Sequence, residues 1–188
     1  MRNIAIFASG SGSNFEAIVK AVHAGEISAE VLLLICDKPG AYVITRAQNL
    51  GIPVFTLSPK TYADKSAYER EILAQLQSLD IEFIVLAGYM RLIGETLLEA
   101  YPNKIVNIHP SKLPDYTGKD AIARAFHDGK NETGVTVHFV DEGMDTGEII
   151  AQETVAVSSG ETLEQLEEKI HKVEHKLYVK TLANLFAR

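Results

Sequence analysis

Five short runs rich in Val, Ile and Leu punctuate the first 110 residues, and each ends within two residues of a Gly, Pro or Asp. They are Ile4–Ala8, Val31–Cys36, the weaker Val54–Leu57, Glu82–Ala87 and Ile105–Ile108. Runs of this length read as strands buried on both faces. The intervening segments switch to helical spacing, with Phe15, Ile18, Val19 and Val22 on one stripe and Tyr68, Ile72, Leu76 and Leu79 on another. Strand and helix in alternation predict an α/β fold, a doubly wound and mostly parallel sheet. The order of strands within that sheet is not readable from their order in the chain.

The second half changes period. Gly134–Asp141 alternates apolar and polar residues, and Ile149–Val157 follows a glycine-containing turn. Antiparallel strands toward the C-terminal half are expected here. Thr162 and Gln165 have capping-box spacing. They open a long C-terminal helix whose stripe is Leu163, Leu166, Ile170, Val173 and Leu177. With no repeat and no linker, residues 1–188 are expected to form one domain.

Composition excludes several functions. A net charge of −7 lacks the electrostatic footprint of a nucleic-acid binder, though it allows a local basic pocket for an anionic metabolite. Cys36 is the sole cysteine, so neither a disulfide framework nor a Cys-rich zinc site is available. The run Ile4–Ala8 is too short to cross a membrane, and no targeting segment is visible. Asn131-Glu132-Thr133 matches a glycosylation sequon and reads as a surface turn. A cytoplasmic location is expected.

Three polar clusters sit where ligands bind in such sheets, at the carboxyl ends of strands. Ser9-Gly10-Ser11-Gly12-Ser13-Asn14 joins the first strand to the first helix. Its glycines allow close backbone approach, and helix-opening N–H groups favour an anion. A phosphate monoester and a plain serine-capped turn both account for it. A dinucleotide would use Asp37 as ribose acceptor, but Phe15 fills the third small position of that fingerprint. Asn107 and His109 end a strand two residues apart, so both face one side. Asn can donate to an oxyanion, and His can donate or exchange a proton. A satisfied strand end is the plain alternative. Asp141 to Gly147 carries Asp145 between glycines in a turn that could aim a carboxylate at His109 and raise its pKa. His171-Lys172-Val173-Glu174-His175 matches a zinc-peptidase pattern, yet lacks a compelling third ligand. No nucleophile elbow for serine hydrolysis is present.

Taken in order, these clusters together with Leu86-Ala87-Gly88-Tyr89-Met90-Arg91 carry a resemblance. The segment Asn107-Ile108-His109-Pro110-Ser111-Lys112-Leu113-Pro114 is similar to folate formyl-transfer and formyl-hydrolysis domains. Over essentially the whole chain the sequence resembles the phosphoribosylglycinamide formyltransferases, folate-dependent glycinamide ribonucleotide transformylases of purine synthesis, with a Rossmann-like fold. The resemblance implies that Gly12, Ser13 and Asn14 hold the ribonucleotide phosphate, with Glu174 on the ribose and His171 close by. It implies Asn107, His109 and Asp145 as the catalytic trio. Lys65, Met90, Arg91, Leu92, Ile93, Asn107, Val140, Asp141, Glu142, Gly143 and Met144 would border the folate.

The co-substrate implied is 10-formyltetrahydrofolate, with no metal and glycinamide ribonucleotide as acceptor; a homodimer is left open. A formyltetrahydrofolate hydrolase, with water replacing the amine, is the nearest rival. Lys112 departs from the usual Leu, and His171 stands where Gln or Lys is common. Gly118-Lys119-Asp120-Ala121 replaces a His-containing stretch, so no residue here takes that role.

Overall fold

A computed structural model describes residues 1–187; Arg188, the last residue of the expected domain, lies outside them. The chain runs β1 (Arg2–Ala8), α1 (Ser13–His23), β2 (Ala29–Cys36), α2 (Tyr42–Asn49), β3 (Val54–Thr56), α3 (Lys65–Ser78), β4 (Phe83–Leu86), α4 (Glu95–Ala100), β5 (Ile105–His109), α5 (Ala121–His127), β6 (Glu132–Phe139), β7 (Ile149–Ala156) and α6 (Leu163–Phe186). The seven strands form one sheet in the order β3-β2-β1-β4-β5-β6-β7. Pairing is parallel from β3 through β5 and antiparallel from β5 through β7. The expected sheet and its antiparallel extension are both present.

Period-two alternation divides the core between the two faces. Ile4, Ile6 and Ala8 of β1 pack with α1 and α6, whereas Ala5 and Phe7 pack with α3 and α4. Phe15, which disfavoured a dinucleotide, is fully buried in the first of these layers. Three helices lack a sequence signature. α2 and α5 are eight and seven residues long, and α4 has six, too few for a periodic stripe to emerge. Glu69, buried on α3, caps α4 from outside its own sequence by accepting from Gly94 N at 2.7 Å and Leu97 N at 3.3 Å.

The capping box of α6 is formed in both directions, Thr162 accepting from Gln165 N and Gln165 from Thr162 N. Further along, Tyr178 is buried, and its hydroxyl reaches the carbonyls of Leu86 at 2.7 Å and Val106 at 3.1 Å. One α6 side chain therefore ties together the ends of β4 and β5. No helix among the described residues is long and apolar enough to cross a membrane. We predict that Tyr178→Phe costs about 1–3 kcal/mol, because two buried carbonyls lose a donor. Urea denaturation reads this as a lower midpoint at unchanged slope.

Candidate active site

The first glycine loop is held from two sides. Ser9 N donates to Gly88 O at 3.0 Å, and Ser9 Oγ accepts from Met90 N at 2.9 Å. On the other side α2 closes in, with Val43 N donating to Gly10 O at 3.0 Å and Arg46 Nε to Ser11 O at 2.7 Å. Gly12 has φ +80°, and any Cβ there would run into the Val43 side chain. Only glycine satisfies both demands. Ser13 then opens α1 and leaves its first N–H groups without helical partners.

Asn14 and Glu174 meet beneath this loop. The Asn14 amide lies close enough to the Glu174 carboxyl to favour its charged form, while Asn14 Oδ1 is buried with no protein partner. Burial pushes the Glu174 pKa up to about 7, against the pull of Asn14. His171, one turn earlier on α6, is exposed and joins neither group. Burial lowers the pKa of His175, and its Nε2 has no protein partner. Among the described residues no three His, Cys, Asp or Glu side chains gather as a metal-holding group.

The second cluster lies where β5 meets β6. The antiparallel register sets Asn107 opposite His138 and His109 opposite Thr136. Their neighbours Val106, Ile108, Val135 and Val137 all go to the opposite face, into the core beside α6. His138 Nδ1 lies 2.8 Å from Phe139 O, which assigns the proton to Nδ1 in the neutral ring. Its Nε2 then accepts from Asn107 Nδ2 at 3.3 Å and fixes the Asn107 amide. Thr136 Oγ1 accepts from Leu113 N and Gln152 Nε2 and donates to Ser111 O at 2.8 Å. The loop after His109 is therefore pinned to β6 and β7.

Asp145 completes the cluster. Its Oδ2 is 3.4 Å from His109 Nδ1 and accepts from Gly118 N at 2.8 Å; its Oδ1 is 3.7 Å from His138 Nε2. The residue itself has φ 57°, a left-handed conformation. Asp141 Oδ1 holds the same turn by accepting from Gly143 N at 3.0 Å and Thr146 Oγ1 at 2.6 Å. Gly147 packs so closely on the Phe139 carbonyl that a Cβ would collide with it. Although desolvation opposes it, the neighbouring His138, the Gly118 N–H and His109 hold the Asp145 pKa below the usual carboxylate value.

One expectation is corrected here. Asp145 does favour the charged form of His109, but burial outweighs it and the His109 pKa is lowered. The ring is 6% exposed, and its Nε2 sits 2.7 Å from Tyr116 O. A depressed His pKa means that this contribution to stability is present above the unfolded value and lost as pH falls through the folded one.

A groove of about 580 Å³ opens at the β2 and β4 ends of the sheet, lined by Lys38, Tyr62, Lys65, Tyr68, Met90 and Arg91 among others. Among the described residues the exposed large hydrophobic side chains are Met1, Tyr42, Met90, Leu92, Met144 and Ile149. Met90 is 64%, Leu92 47% and Met144 48% exposed, all at expected folate-bordering positions. Ile93 differs: its side chain is buried in the core beside α3, leaving only its backbone for a ligand. Val140 is half-buried, with its N–H on Ile105 O, and Glu142 is exposed. Lys112 pairs with Glu132 at 3.1 Å rather than with the glycine loop.

Sequence reasoning did not single out His138, Thr136, Tyr116 or Arg46. The alternation of Gly134–Asp141 already set Thr136 and His138 on one face. Their partners required the strand register.

An open α/β sheet with a glycine loop, an Asn/His/Asp cluster and a flanking groove has counterparts. The formyl transferase model matches residues 2–182, and the chain belongs to that family. It is 52% identical over 185 residues to the phosphoribosylglycinamide formyltransferase of Bacillus subtilis (strain 168), covering 98% of this chain and 95% of the relative. Among solved structures, glycinamide ribonucleotide transformylase 1 from Geobacillus kaustophilus superposes with a TM-score of 0.97 at 58% identity, covering 99% of each chain. Phosphoribosylglycinamide formyltransferase from Bacillus halodurans also gives 0.97, at 55% identity, covering 100% of this chain and 96% of that one.

Two titrations test the electrostatics. A carboxyl with a raised folded pKa stabilises the fold below its unfolded pKa and loses that contribution as pH rises through about 7. Glu174→Gln should therefore lose less stability than wild type between pH 5 and 8, by roughly 3 kcal/mol. Thermal and urea unfolding across that range measure the difference. Asp145→Asn should lower the His109 pKa further, read by NMR titration of the ring; an unchanged pKa would remove Asp145 from that role.

Proposed function

We propose that this protein transfers the formyl group of 10-formyltetrahydrofolate to the amine of glycinamide ribonucleotide, giving formylglycinamide ribonucleotide and tetrahydrofolate in de novo purine synthesis. The observation that carries the reading is the convergence of Asn107, His109 and Asp145 at the end of β5, in the sheet whose β1 end carries the glycine loop and whose β4 end carries Met90 and Leu92 on the groove. The likeness over the full chain to named phosphoribosylglycinamide formyltransferases supports it.

In this reading each residue has its own part. Gly12, Ser13 and Asn14 receive the ribonucleotide phosphate through backbone N–H groups and side chains. Glu174 accepts from the ribose hydroxyls, and His171 borders the same end. Met90, Leu92 and Met144 cover the apolar face of the folate. Arg91 and Lys65 flank its tail. The backbone of Met90 to Ile93 and the turn from Val140 through Asp141, Glu142 and Gly143 border the pterin. Both substrates are thus held within one domain, placed in the cytoplasm.

The amine nitrogen attacks the formyl carbon, and charge develops on the formyl oxygen. Asn107 and His109 donate to that oxygen, each such donor being worth about 2.7–4 kcal/mol. Collapse breaks the bond to folate N10; the amine gives up a proton and N10 gains one. Asp145 steadies His109 whenever the ring is cationic. His109 must first surrender its contact to Tyr116 O, so the Asp115–Lys119 turn shifts as the site fills. The nucleophile is already a free amine and the oxyanion meets side chains, so the reaction needs no metal.

The test is formyl transfer in purified components, with folate and ribonucleotide followed separately. Stoichiometric consumption of glycinamide ribonucleotide is expected, unaffected by exhaustive chelation. Release of formate with the ribonucleotide untouched would make the protein a hydrolase. His109→Asn should cost about 10²–10⁴ in kcat. If the pair acts as a unit, adding Asp145→Asn should lower the rate little further. Gly12→Val should raise the ribonucleotide KM sharply and leave folate affinity nearly unchanged.

A further inference from the structure

Asp37 ends β2 in the floor of the groove beside Arg91. It is 4% exposed, and its one side-chain partner is Arg91, whose Nε donates to Oδ2 at 3.1 Å. No protein group donates to Oδ1, which is also buried. A carboxylate desolvated this far with one hydrogen bond is a poor stabilising device, since desolvation offsets much of the attraction. Its placement is better explained by what it does to its partner.

Arg91 is 44% exposed and is immobilised on its inner side only. Asp37 takes Nε, and the guanidinium lies over the Tyr68 ring at 5.9 Å. Tyr68 is itself tied to Tyr89, hydroxyl to hydroxyl, at 2.8 Å. The backbone carrying Arg91 is anchored on both sides, Met90 N on Ser9 Oγ and Gly94 N on Glu69. Among the described residues no group accepts from the two terminal nitrogens of Arg91. They form a fork that matches a carboxylate, and Lys38 and Lys65 on the groove walls add positive charge.

We propose that Asp37 is a positioning residue: it orients Arg91 to receive the terminal carboxylate of the folate's glutamate, and so sets folate KM without entering the formyl-transfer step. This rests on the reaction proposed above. A flexible arginine must lose its rotamer freedom on binding, and an arginine already held loses less.

The experiment compares two formyl donors, 10-formyltetrahydrofolate and the tetrahydropteroate analogue lacking the glutamate, in wild type, Asp37→Asn, Asp37→Ser and Arg91→Ala. Asp37→Asn should raise KM for the glutamate-bearing donor roughly tenfold, the scale of one charge-assisted hydrogen bond. Its kcat and ribonucleotide KM should stay at wild-type values, and the analogue should show no change. Added to Arg91→Ala, it should change nothing further.

A melting temperature that falls while folate KM holds would make Asp37 structural and overturn the proposal. So would an equal rise for both donors, or a full additional penalty on Arg91→Ala. Asp37→Ser reads the same site should Asp37→Asn fail to fold. Equilibrium titration with tetrahydrofolate and tetrahydropteroate separates the two readings. Wild type that binds folate without transferring formyl sinks the reaction but leaves Asp37 to be judged by affinity. Wild type that binds neither sinks both.

Discussion

The antiparallel ladder between β5 and β6 is the contact on which the site depends. Its register brings Asn107 against His138 and His109 against Thr136. A shift of one residue would turn Val137 and Val135 toward the site and bury the histidine among aliphatic side chains. The same ladder lets Thr136 grip the loop that follows His109, so the histidine and the chain leaving it are placed by one strand pair.

Electrostatics at the site reflect competing demands. His109 faces two acceptors, Tyr116 O and Asp145, which together favour an imidazolium. Burial works against that charge and prevails. Asp145 acquires its position through a left-handed backbone and the collision-free surface of Gly147. The acid turn is therefore a fitted piece of the sheet end rather than a solvated loop. Glu174 presents the opposite case, a carboxyl held toward its neutral form by burial on a helix whose role is otherwise to cover the sheet.

Much of this was legible in the chain because periodicity reports burial directly. The strands, α1, α3 and α6 each carry enough turns or alternations to declare themselves. The shared face of Asn107 and His109 followed from spacing alone, whereas the glycines around Asp145 suggested an aimed carboxylate without excluding an ordinary acidic turn. Helices α2, α4 and α5 escaped because they are short and are held by contacts outside their own sequence, Glu69 on α4 being the clearest. His138 escaped for another reason: its face was readable, but its partner depended on a register between segments separated by α5. The lowered His109 pKa escaped because a neighbour's charge can be seen in a motif, whereas depth of burial cannot.

Ser9 has a wider consequence. Its amide and hydroxyl both engage the Gly88–Met90 segment while its own residue begins the loop at Gly10. Two loops that would otherwise belong to different strands share one mechanical mount. Loop grafting between relatives that swaps the Ser9–Asn14 segment alone would carry the wrong seat for Met90. The unit of exchange in this scaffold is the pair of loops, taken together with the β1–β4 strand pair that supports them.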